Sequence, residues 1–211
     1  MELTGGAVVE DLASYVGSIP ENYDRYRATD FEPYADDLTG RIATAGPRGR
    51  VLELACGTGI LTKRLRGRLP LSIHIVATDL NWPMLEYART KCGTQGIEWQ
   101  EADMVSLPFS TGSFNVVSCQ FGFMFAPDKA VAFHEARRVL DPCGLLAFNV
   151  WDSLDANQSM RIVQQTISSF LGHEPAFFDA PSVYMTVPYC LIWCDRMDLS
   201  KSKYQPSVFA R

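Results

Sequence analysis

Apolar residues recur along the chain in two patterns: short apolar-rich runs, and longer stretches with helical spacing. The runs are rich in β-branched and aromatic residues and bounded by turn formers. They predict strands at about 50–55, 73–78, 97–101, 114–120 and 144–151. Between them, helical spacing predicts helices at about 59–68, 82–92, 127–140 and 156–171, with Pro83 in the first turn of the second. Ahead of the first strand, Tyr34, Leu38 and Ile42 share one helical face, which predicts a helix over about 32–45 started by Pro33. A shorter helix over 8–17 is expected to end at Ser18-Ile19-Pro20. Gly46-Pro47-Arg48-Gly49 and Asp141-Pro142-Cys143-Gly144 read as turns. Apolar strands alternating with helices imply an α/β fold, a mainly parallel sheet with helices on both faces. In such sheets ligands sit beyond the carboxyl ends of the strands.

The first predicted strand ends in the most informative residues of the chain, Glu53-Leu54-Ala55-Cys56-Gly57-Thr58-Gly59. A buried strand breaking into a glycine turn and then a helix brings backbone N–H groups close to a small ligand. The second strand ends on Asp79, where an acid can grip a ribose diol. A dinucleotide fingerprint would need a third glycine at position 62, and the chain has Thr62. Glu53, four residues before the first glycine, is no part of that fingerprint either.

The constellation resembles the class I S-adenosylmethionine methyltransferases, whose first motif is [D/E]-x-x-x-G-x-G; Glu53, Gly57, Gly59 and Asp79 match it position by position. The resemblance extends over about residues 20–178. Leu107-Pro108-Phe109 with Gly112-Ser113-Phe114-Asn115-Val116-Val117 is similar to the family's L-P-F-x-x-x-S-F-D-x-V segment, with Asn115 replacing the usual Asp. Arg138-Val139-Leu140-Asp141-Pro142-Cys143-Gly144 is similar to R-V-L-x-P-G-G, with Cys143 replacing a glycine at some expected cost in ease of turning. Residues 120–125 and Val150-Trp151-Asp152 point to the bacterial small-molecule branch similar to the quinone-biosynthesis methyltransferases.

The resemblance implies a Rossmann-like fold, S-adenosylmethionine as cofactor and a small-molecule methyl acceptor. It also implies roles for particular residues. Gly57 and Gly59, with Ala55 beside them, let backbone approach the methionyl part of the cofactor. Glu53 accepts from its ammonium group, Asp79 takes the ribose hydroxyls and Leu80 packs on the adenine. Asp103 and the Met104 backbone read the adenine edge. Gln120 and Phe121 border the reacting methyl group. Tyr23, Tyr26, Phe31 and Tyr34 belong to an N-terminal segment expected to fold over the cofactor as a lid; padding of the sheet's flank is the alternative. Of these, Tyr26 is assigned to the cofactor, and Tyr23 and Phe31 to the acceptor. Trp151 and Asp152 are further acceptor-side candidates, and Tyr23 and Asp152 are the candidates for a base.

Composition narrows the remaining choices. The 211 residues, 47% of them hydrophobic, suffice for one domain with a sizeable core. A net charge of −5 implies no basic face for nucleic acid. No apolar run reaches the roughly 20 residues of a membrane span, and the start of the chain lacks the pattern of a signal peptide. The six cysteines follow no framework spacing, as expected of reduced thiols in a cytoplasmic protein, and Cys190 and Cys194 have no partner pair for zinc. His74 reads as a packed core residue, His134 as a surface residue and His173 as part of a helix end. No metal site is expected.

These readings divide the chain into a lid segment (1–45), a cofactor domain (46–178) and an atypical tail (179–211). A complete fold of this class has strand order 3-2-1-4-5-7-6 with strand 7 antiparallel. The family pattern stops near Phe178, so strands 6 and 7 are expected to be incomplete. The tail is either the product of truncation or a shifted frame, or a variant that supplies one edge strand. An exposed edge on the fifth strand would invite a second copy of the chain. Two rival functions remain: a non-catalytic S-adenosylmethionine-binding domain, and a nicotinamide-dependent oxidoreductase.

Overall fold

The computed structural model describes residues 17–150, 158–173 and 191–193. Helix α1 (Ile19–Thr44) leads into β1 (Arg50–Leu54), α2 (Ile60–Arg68), β2 (His74–Asp79), α3 (Trp82–Cys92) and β3 (Ile97–Glu101). After β4 (Phe114–Gln120) and a 3-10 turn (Phe123–Phe125) come α4 (Lys129–Val139), β5 (Leu140–Asn149), α5 (Gln158–Leu171) and β6 (Leu191–Trp193). The strands form one sheet in the order β3-β2-β1-β4-β5-β6. The first five are parallel, and the sheet has the α/β architecture expected.

The period of two along each strand separates the core into two layers. Val51, Ile75, Ala77, Leu145 and Ala147 pack with α1, α2 and α3 on one face. Leu52, Leu54, Val76, Val117, Leu146 and Phe148 pack with Ala132, Ala136 and Val139 of α4 on the other. Phe123 stacks on Phe133 at 4.3 Å, and Phe148 meets both rings edge-on.

Several expectations are corrected. Ser18-Ile19-Pro20 starts a helix, because a proline in the first turn forfeits only an N–H that has no intrahelical partner. The helix then runs unbroken through Pro33 to Thr44, 26 residues in all and starting well before the expected 32. His74 is not a core residue: it is the exposed first residue of β2, and its Nε2 lies 3.0 Å from Glu98 Oε2. The turn expected at 141–144 lies within β5, as an excursion in the ladder between the pairs Phe114–Leu140 and Val116–Leu145. Gly144 is needed there, since a Cβ would come within 2.6 Å of Leu140 Cδ1. Cys143 keeps a negative φ, so the cost expected of it does not arise. Helix 8–17 lies outside the described residues.

The motif segments after β3 find structural roles. Asn115 Oδ1 accepts from the Arg50 backbone N–H at 3.2 Å, so the amide that replaces the family's acid ties β4 to the start of β1. Arg138 donates to the Phe109 carbonyl at 2.7 Å and the Leu107 carbonyl at 2.9 Å. Glu135 accepts from the Leu107 N–H at 2.7 Å and pairs with Arg138, which holds its carboxyl below the ordinary range. This pair pins the Leu-Pro-Phe segment to α4. Beyond β5, Leu191–Trp193 runs antiparallel beside Leu146, Ala147 and Phe148 and covers that edge over three residues.

Arg138→Met should keep the fold but lower its stability by about 1–3 kcal/mol, the cost of two carbonyl acceptors and Glu135 losing a charged donor. Urea unfolding followed by circular dichroism measures it; an unchanged midpoint would remove the pair from the fold's supports.

Candidate functional site

The carboxyl ends of β1, β2 and β4 converge on one region, and the backbone there is forced into unusual shapes. Ala55, at the end of β1, has φ 51°, and Phe121, at the end of β4, has φ 54°; they alone among the described non-glycine residues have positive φ. Such conformations cost of order 1–3 kcal/mol each and collect at functional sites. Gly122 lies between them: a Cβ there would stand 2.5 Å from Ala55 Cβ and 2.6 Å from Cys119 Sγ. Nothing in the sequence pattern singled out Gly122; only the crossing of two strand ends reveals it.

The two motif glycines have separate tasks. Gly57 has φ 53°, and a Cβ at that position would meet nothing within 4 Å. Its missing side chain therefore leaves open space, the condition for close approach by a ligand. Gly59 has φ 76° and caps α2, but its Cβ would fall 3.0 Å from Cys92 Sγ and 3.1 Å from Ala88 Cβ. Its smallness serves the packing of the turn against α3.

Asp79 organises the turn. Its Oδ2 accepts from the Gly57 N–H at 2.7 Å and its Oδ1 from the Asn81 N–H at 2.8 Å. Burial raises its carboxyl above the ordinary range, and these N–H donors oppose that rise. Glu53 lies one strand away and is 1% exposed. Its Oε2 has no hydrogen-bond partner, and neither has the Thr62 hydroxyl on α2. Burial pushes the Glu53 carboxyl up to about 8; Asp79 adds to the rise, and Thr62 opposes it.

The other predicted residues are distributed around this centre. Leu80 is 60% exposed beside Asp79, free to pack on a ligand. Asp103 is half-buried after β3 and accepts from the Val105 N–H at 3.0 Å, with Met104 packed next to it. Gln120 Nε2 donates to the Phe31 carbonyl of α1 at 3.0 Å. Phe121 meets Phe31 at 5.4 Å and Tyr34 at 5.5 Å, and Tyr23 stacks on Phe31 at 6.0 Å. Helix α1 thus lies with three aromatic rings against the end of β4. Tyr26 is not part of this cluster: it is 66% exposed on α1. Trp151 and Asp152 lie outside the described residues. His134 and His173 are exposed. Among the described residues no group of three or more His, Cys, Asp or Glu could hold a metal ion, and no helix is long and apolar enough to cross a membrane.

Salt links fasten α1 across the cofactor side. Lys91 of α3 pairs with Asp24, which also accepts from the Tyr87 hydroxyl at 3.4 Å. Arg64 of α2 reaches Asp36 at 2.8 Å and Glu32 at 3.3 Å.

A parallel sheet in this order, with a glycine turn after β1 and an acid at the tip of β2, defines a Rossmann-like methyltransferase fold. The comparisons agree: residues 51–144 match the family model described as "Methyltransferase domain". That match covers less than half of the chain, and over those residues the chain is similar to a methyltransferase domain. It is 42% identical over 99 residues to the demethylmenaquinone methyltransferase of Thermus thermophilus, covering 46% of this chain and 44% of that protein. It is 35% identical over 112 residues to a ubiquinone/menaquinone biosynthesis C-methyltransferase of Shewanella frigidimarina, covering 51% and 45%. The chain therefore spans under half the length of these curated relatives. In fold it is similar to a SAM-dependent methyltransferase from Aquifex aeolicus, with a TM-score of 0.55 and 18% identity over 72% of this chain and 86% of that one.

The residues present fit the cofactor this family implies. The space left by the missing Gly57 side chain, the unpartnered Glu53 oxygen and the exposed face of Leu80 lie on consecutive strand ends.

The two glycines should respond differently to one added methyl group. Gly57→Ala should leave an intact fold, at a cost of about 1 kcal/mol for positive φ, while weakening S-adenosylmethionine binding at least tenfold. Gly59→Ala should chiefly lower stability, because its Cβ meets Ala88 and Cys92. Calorimetric titration paired with thermal unfolding checks both; equal effects on binding would merge the two tasks.

Proposed function

We propose that this protein transfers the methyl group of S-adenosylmethionine to a small molecule by in-line displacement. The observation that carries this reading is the Asp79–Gly57 link beside the buried, unpartnered Glu53. Glu53 receives the cofactor's ammonium group, and Asp79 uses its remaining lone pairs for the ribose hydroxyls. Ala55, Gly57 and Gly59 form the turn along the methionyl part. Leu80 covers the adenine, whose edge is read by Asp103 and the Met104 backbone. Gln120 and Phe121 stand beside the methyl group, with Tyr26 of α1 at the entrance.

The bound cofactor supplies an activated methyl group on a sulfonium leaving group. The protein's task is then to align the acceptor and exclude water. Helix α1 is suited to both as a lid over residues 46–178, with residues 179–211 as an appended tail. We place the acceptor between α1 and the ends of β4 and β5, near Tyr23 and Phe31, and assign it Trp151 and Asp152, which follow β5 in sequence. The relatives in Thermus and Shewanella are named for quinone methylation. The rings of Tyr23, Phe31, Tyr34 and Phe121 support a flat aromatic acceptor of that kind here.

The test is calorimetric titration with S-adenosylmethionine, followed by detection of S-adenosylhomocysteine in the presence of small phenolic and quinol acceptors. Binding with product formation supports the reading. Binding without product from any acceptor favours the non-catalytic alternative, and absence of binding overturns both.

Asp79→Ala should weaken cofactor binding tenfold or more, since each charge-assisted hydrogen bond is worth about 1.5–3 kcal/mol. It should also lower stability, because the Gly57 and Asn81 N–H groups lose their acceptor. Calorimetry and thermal unfolding read the two effects; unchanged affinity removes Asp79 from the site.

A further inference from the structure

The groups buried around the glycine turn are all acids, with the Lys63 and Lys91 ammonium groups acting from the rim on Cys92. Glu53 on β1 and Asp79 on β2 bring two carboxyls together, and the thiols of Cys56, Cys92 and Cys119 surround them from the turn, α3 and β4. All five groups become negative when they lose a proton, and burial holds each above its ordinary range. No cation among the described residues is bound within this cluster. Lys63 of α2 is exposed, Lys91 of α3 is committed to Asp24, and Arg64 of α2 is committed to Glu32 and Asp36 on α1. Asp79 has two backbone N–H donors to stabilise a negative charge. Glu53 Oε2 has no hydrogen-bond partner; Thr62 on the facing helix opposes the rise of the carboxyl without cancelling it. A second buried anion without a cation is costly, and such a group keeps its proton instead.

We infer that the site rests with a proton on Glu53, and that docking of the cofactor's ammonium group displaces this proton to solvent. The inference rests on the proposed S-adenosylmethionine site and adds a proton to its binding equilibrium. The balance is simple: the Glu53 carboxylic O–H bond breaks, the proton passes to buffer, and the carboxylate remains paired with the ligand's cation. Binding thus releases up to one proton well below pH 8, where the ligand's amine is still charged; above about pH 8, the ordinary range of an α-amino group, the amine arrives neutral and takes a proton up, so the net release vanishes and then reverses. Affinity rises with pH to a maximum near 8 and falls beyond it, as the ligand's amine loses its charge. The ligand-free protein shows the same group through its stability. A carboxyl raised in the folded state stabilises the fold fully below its unfolded value of 4.5, and that contribution is lost as pH climbs through about 8.

Calorimetric titration with S-adenosylmethionine at pH 6.5 and 8.5, in two buffers of different ionisation enthalpy, counts the protons released. S-adenosylhomocysteine, which keeps the ammonium group, is titrated alongside. The expected result is a release of half a proton or more at pH 6.5, a net uptake at pH 8.5, where the ligand's amine arrives largely neutral, and affinity several-fold weaker at the lower pH. Glu53→Gln should bind weakly, with most of the proton release and pH dependence gone. Without ligand, Glu53→Gln should flatten the fall in unfolding temperature between pH 5 and 8. Tight binding with no proton release and no pH dependence would overturn this inference and leave the proposed function standing. No binding at any pH would overturn both. A ligand-free stability profile unchanged by Glu53→Gln would also overturn the resting proton.

Discussion

The 2.7 Å bond from the Gly57 N–H to Asp79 is the link on which the site depends. It joins the turn after β1 to the tip of β2, so the position of the glycine loop is set by a neighbouring strand and not by the loop itself. A loop so short has few internal bonds to hold it. Fixing it to the sheet, whose strands pair in register from Val51–Ile75 to Glu53–Ala77, transfers the rigidity of the core to the ligand's edge. The positive φ values of Ala55, Gly57 and Gly59 follow from the same demand, since the chain must leave the strand end and re-enter α2 within a few residues. The bond also uses part of Asp79's capacity for structure. One side chain serves fold and site together, and its loss cannot be assigned to either alone.

The sheet and its helices were legible because their signals are local. Apolar-rich runs at 51–55 and 114–120 became β1 and β4, and the glycine spacing after Glu53 placed the turn. What was misread depended on context. Pro20 and Pro33 are breakers by composition, yet one falls in a first turn and the other is carried within a helix held by Leu38, Ile42 and its salt links. His74 lies in an apolar run, but it is the first residue of its strand, at the rim where Glu98 can reach it. Gly122 and the division of labour between Gly57 and Gly59 had no sequence signature. They arise from the approach of elements distant along the chain: β1 to β4 in one case, α2 to α3 in the other.

The aromatic residues before β1 were grouped by their proximity in sequence, and the helix sorts them. Tyr23, Phe31 and Tyr34 reach the end of β4 or one another, while Tyr26 projects to solvent. Positions 23, 27, 31 and 34 follow the helical repeat, and 26 falls off that stripe. A periodicity test extended back through Pro33 would have separated them; taking the proline as a boundary prevented it.

The fastenings of α1 differ in strength, and the difference bears on how a ligand could enter. The Arg64 links to Glu32 and Asp36 lie 31–59% exposed, where ion pairs contribute roughly 0–1 kcal/mol and salt screens them. The Lys91–Asp24 pair is drier, at 21% and 18% exposure, and holds the first turns of the helix to α3. The tie at the site itself is one amide-to-carbonyl hydrogen bond, Gln120 to Phe31, beside rings that pack on Phe121. Breaking a single neutral hydrogen bond of this kind costs about 0.5–1.5 kcal/mol, and its groups can bond to ligand or water in exchange. The contact nearest the proposed reaction centre is therefore weak enough to exchange, whereas the residues that shape the cofactor's side are bound into the sheet.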